Sequence, residues 1–219
     1  MLFSAKLLRM ASTGRLLCLA SAAAFGAMAI FGKLAYDEGA TAGTLLAVRF
    51  ALAAAMLWSL LLARGELFTV RALRRRDLAI ALGLGACGYS LQAGCYFLAL
   101  ERIDASLLSL LLYTFPAIVT VAAFILGRER LDRSRVVALG LVSVGLTFVL
   151  AGAGTGALEG VGVALGLAAA FVYSTYILVS EGVAQRLPAL TLATLVCTGA
   201  AASLTVGSTA ATVTIAGNV

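Results

Sequence analysis

The apolar residues of this chain do not alternate with polar ones. They come in unbroken blocks of about 17 to 22 residues, the length that carries an α-helix, at 1.5 Å per residue, across about 30 Å of hydrocarbon. Such blocks stand at 16–35, 41–63, 78–98, 105–126, 135–151, 161–179 and 189–206. Each predicts a spanning helix, and the short connections predict antiparallel neighbours. A membrane-spanning barrel would show segments of about 10 residues with dyad alternation, a pattern the chain lacks. The expected fold is therefore all-α, a polytopic transmembrane helical bundle of about seven spans.

Composition agrees. Of 219 residues, 62% are hydrophobic and 12% charged, and the mean hydropathy is +1.06, whereas soluble domains carry about 25% charge. The charges are also sorted. All of the 16 lysines and arginines except Lys33, Arg49 and Arg102 fall before the first block or between blocks 2 and 3, 4 and 5, and 6 and 7. The opposite loops hold Arg102 among Asp37, Glu38, Glu101, Asp104 and Glu159. The positive-inside rule then predicts a cytoplasmic amino terminus and an exterior carboxyl terminus, and the expected location is the plasma (inner) membrane. The net charge of +6 is an orientation signal. It does not indicate nucleic acid, because the basic residues are divided among four short loops.

Lys6, Arg9 and Arg15 before Leu16-Leu17-Cys18-Leu19 have the look of a secretory leader. The apolar run continues past any cleavage point to about Phe31, which predicts an uncleaved first helix. Cys18, Cys87, Cys95 and Cys197 all lie within predicted spans and form no CxxC pair, so they read as small packing residues.

Ala22-Ala23-Ala24-Phe25 in span 1 recurs as Ala168-Ala169-Ala170-Phe171 in span 6, and Ala53-Ala54-Ala55 in span 2 as Ala200-Ala201-Ala202 in span 7, at nearly equal offsets. Five crossings separate spans 1 and 6, so a repeat that restarts at span 6 is inverted, an organisation many transporters use.

Further motifs carry a family resemblance. Cys95 to Glu101, Ala105-Ser106-Leu107, Tyr113-Thr114-Phe115-Pro116, Leu126 to Leu131, Gly140 and Gly145 resemble the first repeat of the EamA-type drug/metabolite transporters, and Gly26, Gly32-Lys33 and Arg49-Phe50 fit the same pattern. The resemblance covers about 16–151 and implies a five-helix repeat there. Residues 161–206 match a second repeat more loosely, as two helices, with 207–219 as a short tail lacking an obvious eighth span. Family members usually have ten helices as two inverted five-helix repeats. The shortfall of three predicts a truncated, non-transporting fragment or a subunit completed by a homodimer or partner chain, as the alternative to a working transporter. The resemblance implies transport of a small metabolite (an amino acid, organic anion or related solute) by alternating access.

Individual residues keep two readings each. Arg49 lies about 12 Å inside span 2. Either its stem snorkels to the headgroups, or it faces the interior and attracts a carboxylate, since an uncompensated charge in a span is costly. Lys33 either pairs with Asp37 one turn on or joins Arg49 in a positive vestibule. Pro116 removes the hydrogen bond to the Leu112 carbonyl and should kink span 4. The kink is either structural or turns Tyr113, Thr114 and Ser109 into a solute cavity. Tyr89, Tyr96, Tyr173 and Tyr176 could stack on an aromatic solute, interface anchoring explaining Tyr96 better than Tyr176. Glu129 reads as an ion-paired helix end or a cytoplasmic gate, and Gly83, Gly85, Gly88, Gly94, Gly162 and Gly166 as close-packing positions.

The candidate solute-binding residues are thus Arg49, Lys33, Tyr113, Thr114, Pro116, Tyr89 and Tyr173. No acidic residue lies mid-span, which argues against antiport through a membrane-buried carboxylate. With no His, no metal-ligand cluster, no GxSxG and no phosphate loop, neither an enzyme nor a cofactor is expected. A retinal receptor would need a lysine in the last helix, and span 7 has none.

Overall fold

The computed structural model describes residues 2–128, 132–152 and 159–216, and every regular element among them is helical. In chain order these are α1 (Leu2–Asp37), α2 (Ala42–Ala63), the short α3 (Leu67–Arg71), α4 (Arg75–Gly83), a π-helical segment (Leu84–Tyr89), α5 (Ser90–Leu100), α6 (Ala105–Leu112), α7 (Phe115–Ile125), α8 (Arg133–Gly152), α9 (Gly160–Ala184) and α10 (Ala189–Ala216).

Among the described residues six stretches are long and apolar enough to cross a membrane: Gly14–Asp37, Ala42–Ala63, Arg75–Leu100, Ala105–Ile125, Gly160–Ala184 and Ala189–Val206. The remaining predicted block, 135–151, is the 20-residue α8. Three features differ from expectation. Span 3 contains a π-helical segment, span 4 is two helices, and the helix of span 7 continues through the supposed tail to Ala216. Glu129 lies outside the described residues.

Glycines end three of the spans in one way. Gly39, Gly65 and Gly127 have φ of 85°, 67° and 68°. At each, the glycine N–H donates to the carbonyl three residues back (Tyr36, Leu62, Phe124) and the next N–H to the carbonyl five residues back (Ala35, Leu61, Ala123). That paired closure satisfies carbonyls that the helix end would leave open. At the start of α2, Thr41 Oγ1 accepts from Thr44 N–H and Glu101 accepts from Ala42 N–H at 3.2 Å, tying α2 to the end of α5.

The centre is built around two helices. α9 packs on α5, the π-helical segment, α6 and α7, while α10 packs on α2, the π-helical segment and α4. α1 and α8 lie at the periphery with large apolar residues outward, including Phe31 and Phe148. The main core gathers Phe50, Phe97, Leu100, Leu108, Leu111, Ala169, Ala170 and Ala200.

Glycine sets the closest approach. A Cβ on Gly85 would fall on the Val196 carbonyl and one on Gly199 on the Leu82 carbonyl, so the end of α4 and the π-helical segment touch α10 backbone to backbone. Two side-chain bonds flank the crossing: Ser90 with Ser203 at 2.9 Å, and Trp58 Nε1 donating to Thr198 Oγ1 at 3.0 Å. Gly162 and Gly166 receive Ile103 and Leu108/Leu111 of the neighbouring segments, and Gly88 receives Tyr176, as the packing reading expects. Gly83 and Gly94 face open space instead.

Overpacking a tight contact costs about 1–3 kcal/mol or more. Gly199→Ala should therefore lower the melting temperature of the detergent-purified protein clearly, while Gly94→Ala leaves it unchanged or slightly raises it. Equal behaviour of the two variants would refute the backbone crossing.

Candidate functional site

Arg49 resolves first. It is half-buried, with its guanidinium carbon 5.4 Å from the centroid of Phe50 and 5.7 Å from that of Phe97. These rings are 2% and 1% exposed, so the charge lies against the core of the bundle. Cation–π attraction compensates it in part. Among the described residues it has no carboxylate partner. Lys33 is half-buried on α1 and makes no ion pair with Asp37, so the expected one-turn bridge is absent. The preceding Gly32 packs on Phe97 and Leu100, which brings this turn of α1 to the ring that Arg49 covers.

A chain of aromatic rings runs inward from Phe50. Phe50 meets Tyr89 edge-on at 5.3 Å, Tyr89 meets Tyr176 at 5.6 Å, Tyr176 stacks on Tyr173 at 6.2 Å, and Tyr173 meets Phe115 at 4.8 Å. The chain thus links α2, the π-helical segment, α9 and α7. Tyr96 is 2% exposed and packs edge-on against Phe97, so it is a core residue and not an interface anchor.

Span 4 breaks where proline was expected to bend it. α6 stops at Leu112, Tyr113 and Thr114 form a turn, and Pro116 stands in the first turn of α7, where its missing N–H costs least. No backbone bond to the Leu112 carbonyl crosses the turn. The Thr114 hydroxyl, expected to face solute, donates to the Leu111 carbonyl at 2.7 Å and holds the turn. The Ser109 hydroxyl likewise bonds back to Ala105 at 2.7 Å. On the far side, Ser174 of α9 is 1% exposed and reaches the Phe115 carbonyl at 3.2 Å as well as Ala170 at 2.7 Å.

Beside this turn lies a cavity of about 470 Å³ between α1, the α6–α7 break and α9, lined by Cys18, Ser21, Ala22, Phe25, Leu112, Tyr113, Phe115 and Tyr173. Tyr113 is 55% exposed there. Of the residues singled out by sequence, the fold brings Tyr113 and Tyr173 to this cavity, with Thr114 and Pro116 shaping its edge. Tyr89 joins through Tyr176, while Arg49 and Lys33 sit nearer the acidic-loop end and do not line it. Cys18 faces this space, and Cys87 faces an apolar groove of about 510 Å³ between span 3 and α9. All four cysteines are free.

Ion pairs tie α9 to the preceding helices at both ends. Arg102 meets Glu159 at 2.7 Å at the acidic-loop end, and Arg128 meets Glu181 at 3.4 Å at the basic-loop end. Arg186 just beyond α9 approaches Asp77 of α4 at 3.8 Å. Sequence reasoning passed over Gln92, which is 8% exposed on α5; the signal was that no other carboxamide occurs in the predicted spans. Among the described residues no group of His, Cys, Asp and Glu is placed to hold a metal ion.

The profile of the EamA-like transporter family matches residues 12–151, close to the 16–151 over which the sequence carries that resemblance. No curated protein and no solved structure matches the chain significantly.

If the cavity admits water, Cys18 should react with a small cationic methanethiosulfonate reagent in a variant whose other three cysteines are alanine. Ala22→Phe, which fills the cavity, should slow that reaction severalfold. Unchanged labelling would show that Cys18 is reached by another route.

Proposed function

This chain belongs to the EamA-like transporter family, and from that premise we propose that it moves a small carboxylate-bearing metabolite, an amino acid or organic anion, by alternating access. It is a multi-pass membrane protein of a family of transporters. The observation that carries the reading is Arg49: a permanent charge inside the bundle, held over two buried rings and, among the described residues, without a carboxylate of its own. In hydrocarbon surroundings such a charge is costly unless compensated. A solute carboxylate compensates it transiently, with the planar bidentate geometry that guanidinium offers.

Lys33 supplies a second positive charge at the mouth. Tyr89, Tyr173 and Tyr113 form the aromatic and hydroxyl-bearing wall deeper in, and Thr114 with Pro116 keeps span 4 broken so that Tyr113 faces the cavity. The pairs at the two ends of α9 suit closures that must be made and undone, because exposed ion pairs contribute less than about 1 kcal/mol each. Arg128–Glu181 takes the inner position that Glu129 was expected to occupy. The membrane is the plasma (inner) membrane with the amino terminus cytoplasmic, residues 16–151 forming one inverted-repeat unit and 161–206 the start of the next, and a homodimer or partner subunit is compatible with the open faces of α1 and α8.

The test is uptake into proteoliposomes of a panel of anions including 3-phenylpropionate. Losing a charge-assisted contact of about 1.5–3 kcal/mol should cut the apparent affinity of Arg49→Gln and Arg49→Ala at least about tenfold. Wild-type rates and affinities in both variants for every anion transported would make Arg49 a snorkelling residue and overturn the reading.

A further inference from the structure

Gln92 lies on α5 eight residues in from Leu100, about 12 Å from the acidic-loop end. Arg49, seven residues in from Ala42, reaches a similar depth of about 10 Å from the same end. More than nine-tenths of Gln92 is buried, since 8% is exposed, yet among the described residues its amide has no hydrogen-bond partner. A sealed, unpaired amide would be strongly unfavourable, and buried polar groups are ordinarily paired. This one is not sealed. The one fully enclosed side-chain polar atom lacking a partner among the described residues is Thr191 Oγ1, so neither amide atom of Gln92 is fully enclosed.

The neighbours define that space. Tyr89 stands three residues before Gln92 and Tyr96 four after, so the three share one stripe of the helix. Tyr89 carries the contacts to Phe50 and Tyr176. Tyr96 is within electrostatic reach of both Arg49 and Tyr113. The amide therefore sits between two tyrosines, at the level of Arg49, on the helix stripe that carries Tyr89 into the aromatic chain.

We propose that Gln92 is a specificity-determining residue of the solute site, reading a polar substituent beside the carboxylate of an α-hydroxy or α-amino acid. The proposal rests on Arg49 as the carboxylate's partner. A carboxamide offers both an acceptor and donors. Gln92 Oε1 accepts from the hydroxyl or ammonium of the solute, and the carboxylate is left to Arg49. A solute with only hydrogen at that carbon leaves the amide acceptor unpaired, and sites built on buried polar groups reject such analogues strongly.

The test is equilibrium binding to the full chain in lipid nanodiscs with two probes that differ by one hydroxyl, 3-phenyllactate and 3-phenylpropionate. The wild type should prefer 3-phenyllactate by about tenfold. Gln92→Leu and Gln92→Met, which keep the bulk and remove the amide, should bind both probes alike while 3-phenylpropionate affinity stays near wild type. A wild type without the preference, or variants that retain it, overturns the proposal and leaves the carboxylate reading intact. Loss of both probes in both variants makes Gln92 a structural residue and overturns it too. If the wild type binds neither probe, the carboxylate reading falls and this proposal falls with it.

Discussion

The interior of this protein depends on the backbone contact between the π-helical segment and α10. Helices in a bilayer gain little from burying apolar surface against each other, because lipid tails are as apolar as leucine, so close packing and interhelical hydrogen bonds must hold them. Gly85 and Gly199 permit the approach from opposite sides, Ser90–Ser203 fixes it on one flank, and Trp58–Thr198 ties α10 to α2 on the other. The contact fixes more than a distance. It sets the rotation of span 3 about its own axis, and one residue of slippage would turn its faces by about 100°. Tyr89, Gln92 and Tyr96 would then leave the interior together.

Two departures from regular helix lie at the level of the aromatic chain, and both face α9. The π-helical segment ends at Tyr89, with the Ser90 hydroxyl reaching back to the Gly85 carbonyl at 3.0 Å. The break in span 4 ends at Thr114, with its hydroxyl on Leu111. In each case a short polar side chain adds a second hydrogen bond to a carbonyl that already accepts a backbone N–H, from Ser90 at Gly85 and from Thr114 at Leu111, and so reinforces irregular backbone at membrane depth. Their consequence is the placement of aromatic side chains: Tyr89 leaves the first at the right angle to meet Phe50 and Tyr176, and Tyr113 turns outward at the second.

The spans were legible in sequence because the solvent imposes a length on each apolar block, and the family was legible because its proline and glycine elements keep their spacing. The irregularities were not. Gly83-Leu84-Gly85-Ala86-Cys87-Gly88 signals close packing but carries no signature of a π-type hydrogen-bond pattern, and Pro116 marks a disturbed helix without saying whether it bends or stops. The direction of Arg49 was undecidable from one strand of sequence, since snorkelling and burial use the same residue at the same depth. The ring that favours the inward reading, Phe97, comes from almost fifty residues away. Residues 207–216 misled for the opposite reason: low charge and small side chains resemble a tail, yet the helix runs on to Ala216.

A transport site must hold its solute without keeping it. A carboxylate side chain beside Arg49 would neutralise the guanidinium permanently and lower its attraction for any anion that arrives. Aromatic faces compensate a cation only partly, through the quadrupole, and at a cost in affinity far smaller than a buried ion pair would exact. On the proposed reading, Phe50 and Phe97 leave the Arg49 charge stable enough to remain in the span and unsatisfied enough to exchange partners. The same logic separates the two kinds of charge in this fold. Arg102, Arg128 and Arg186 have carboxylates and stand at the exposed ends, where pairing costs and contributes little. Arg49, alone among these in its depth, is given rings instead, and on the reading proposed above that difference in partner suits it to a solute and them to the closing of the ends.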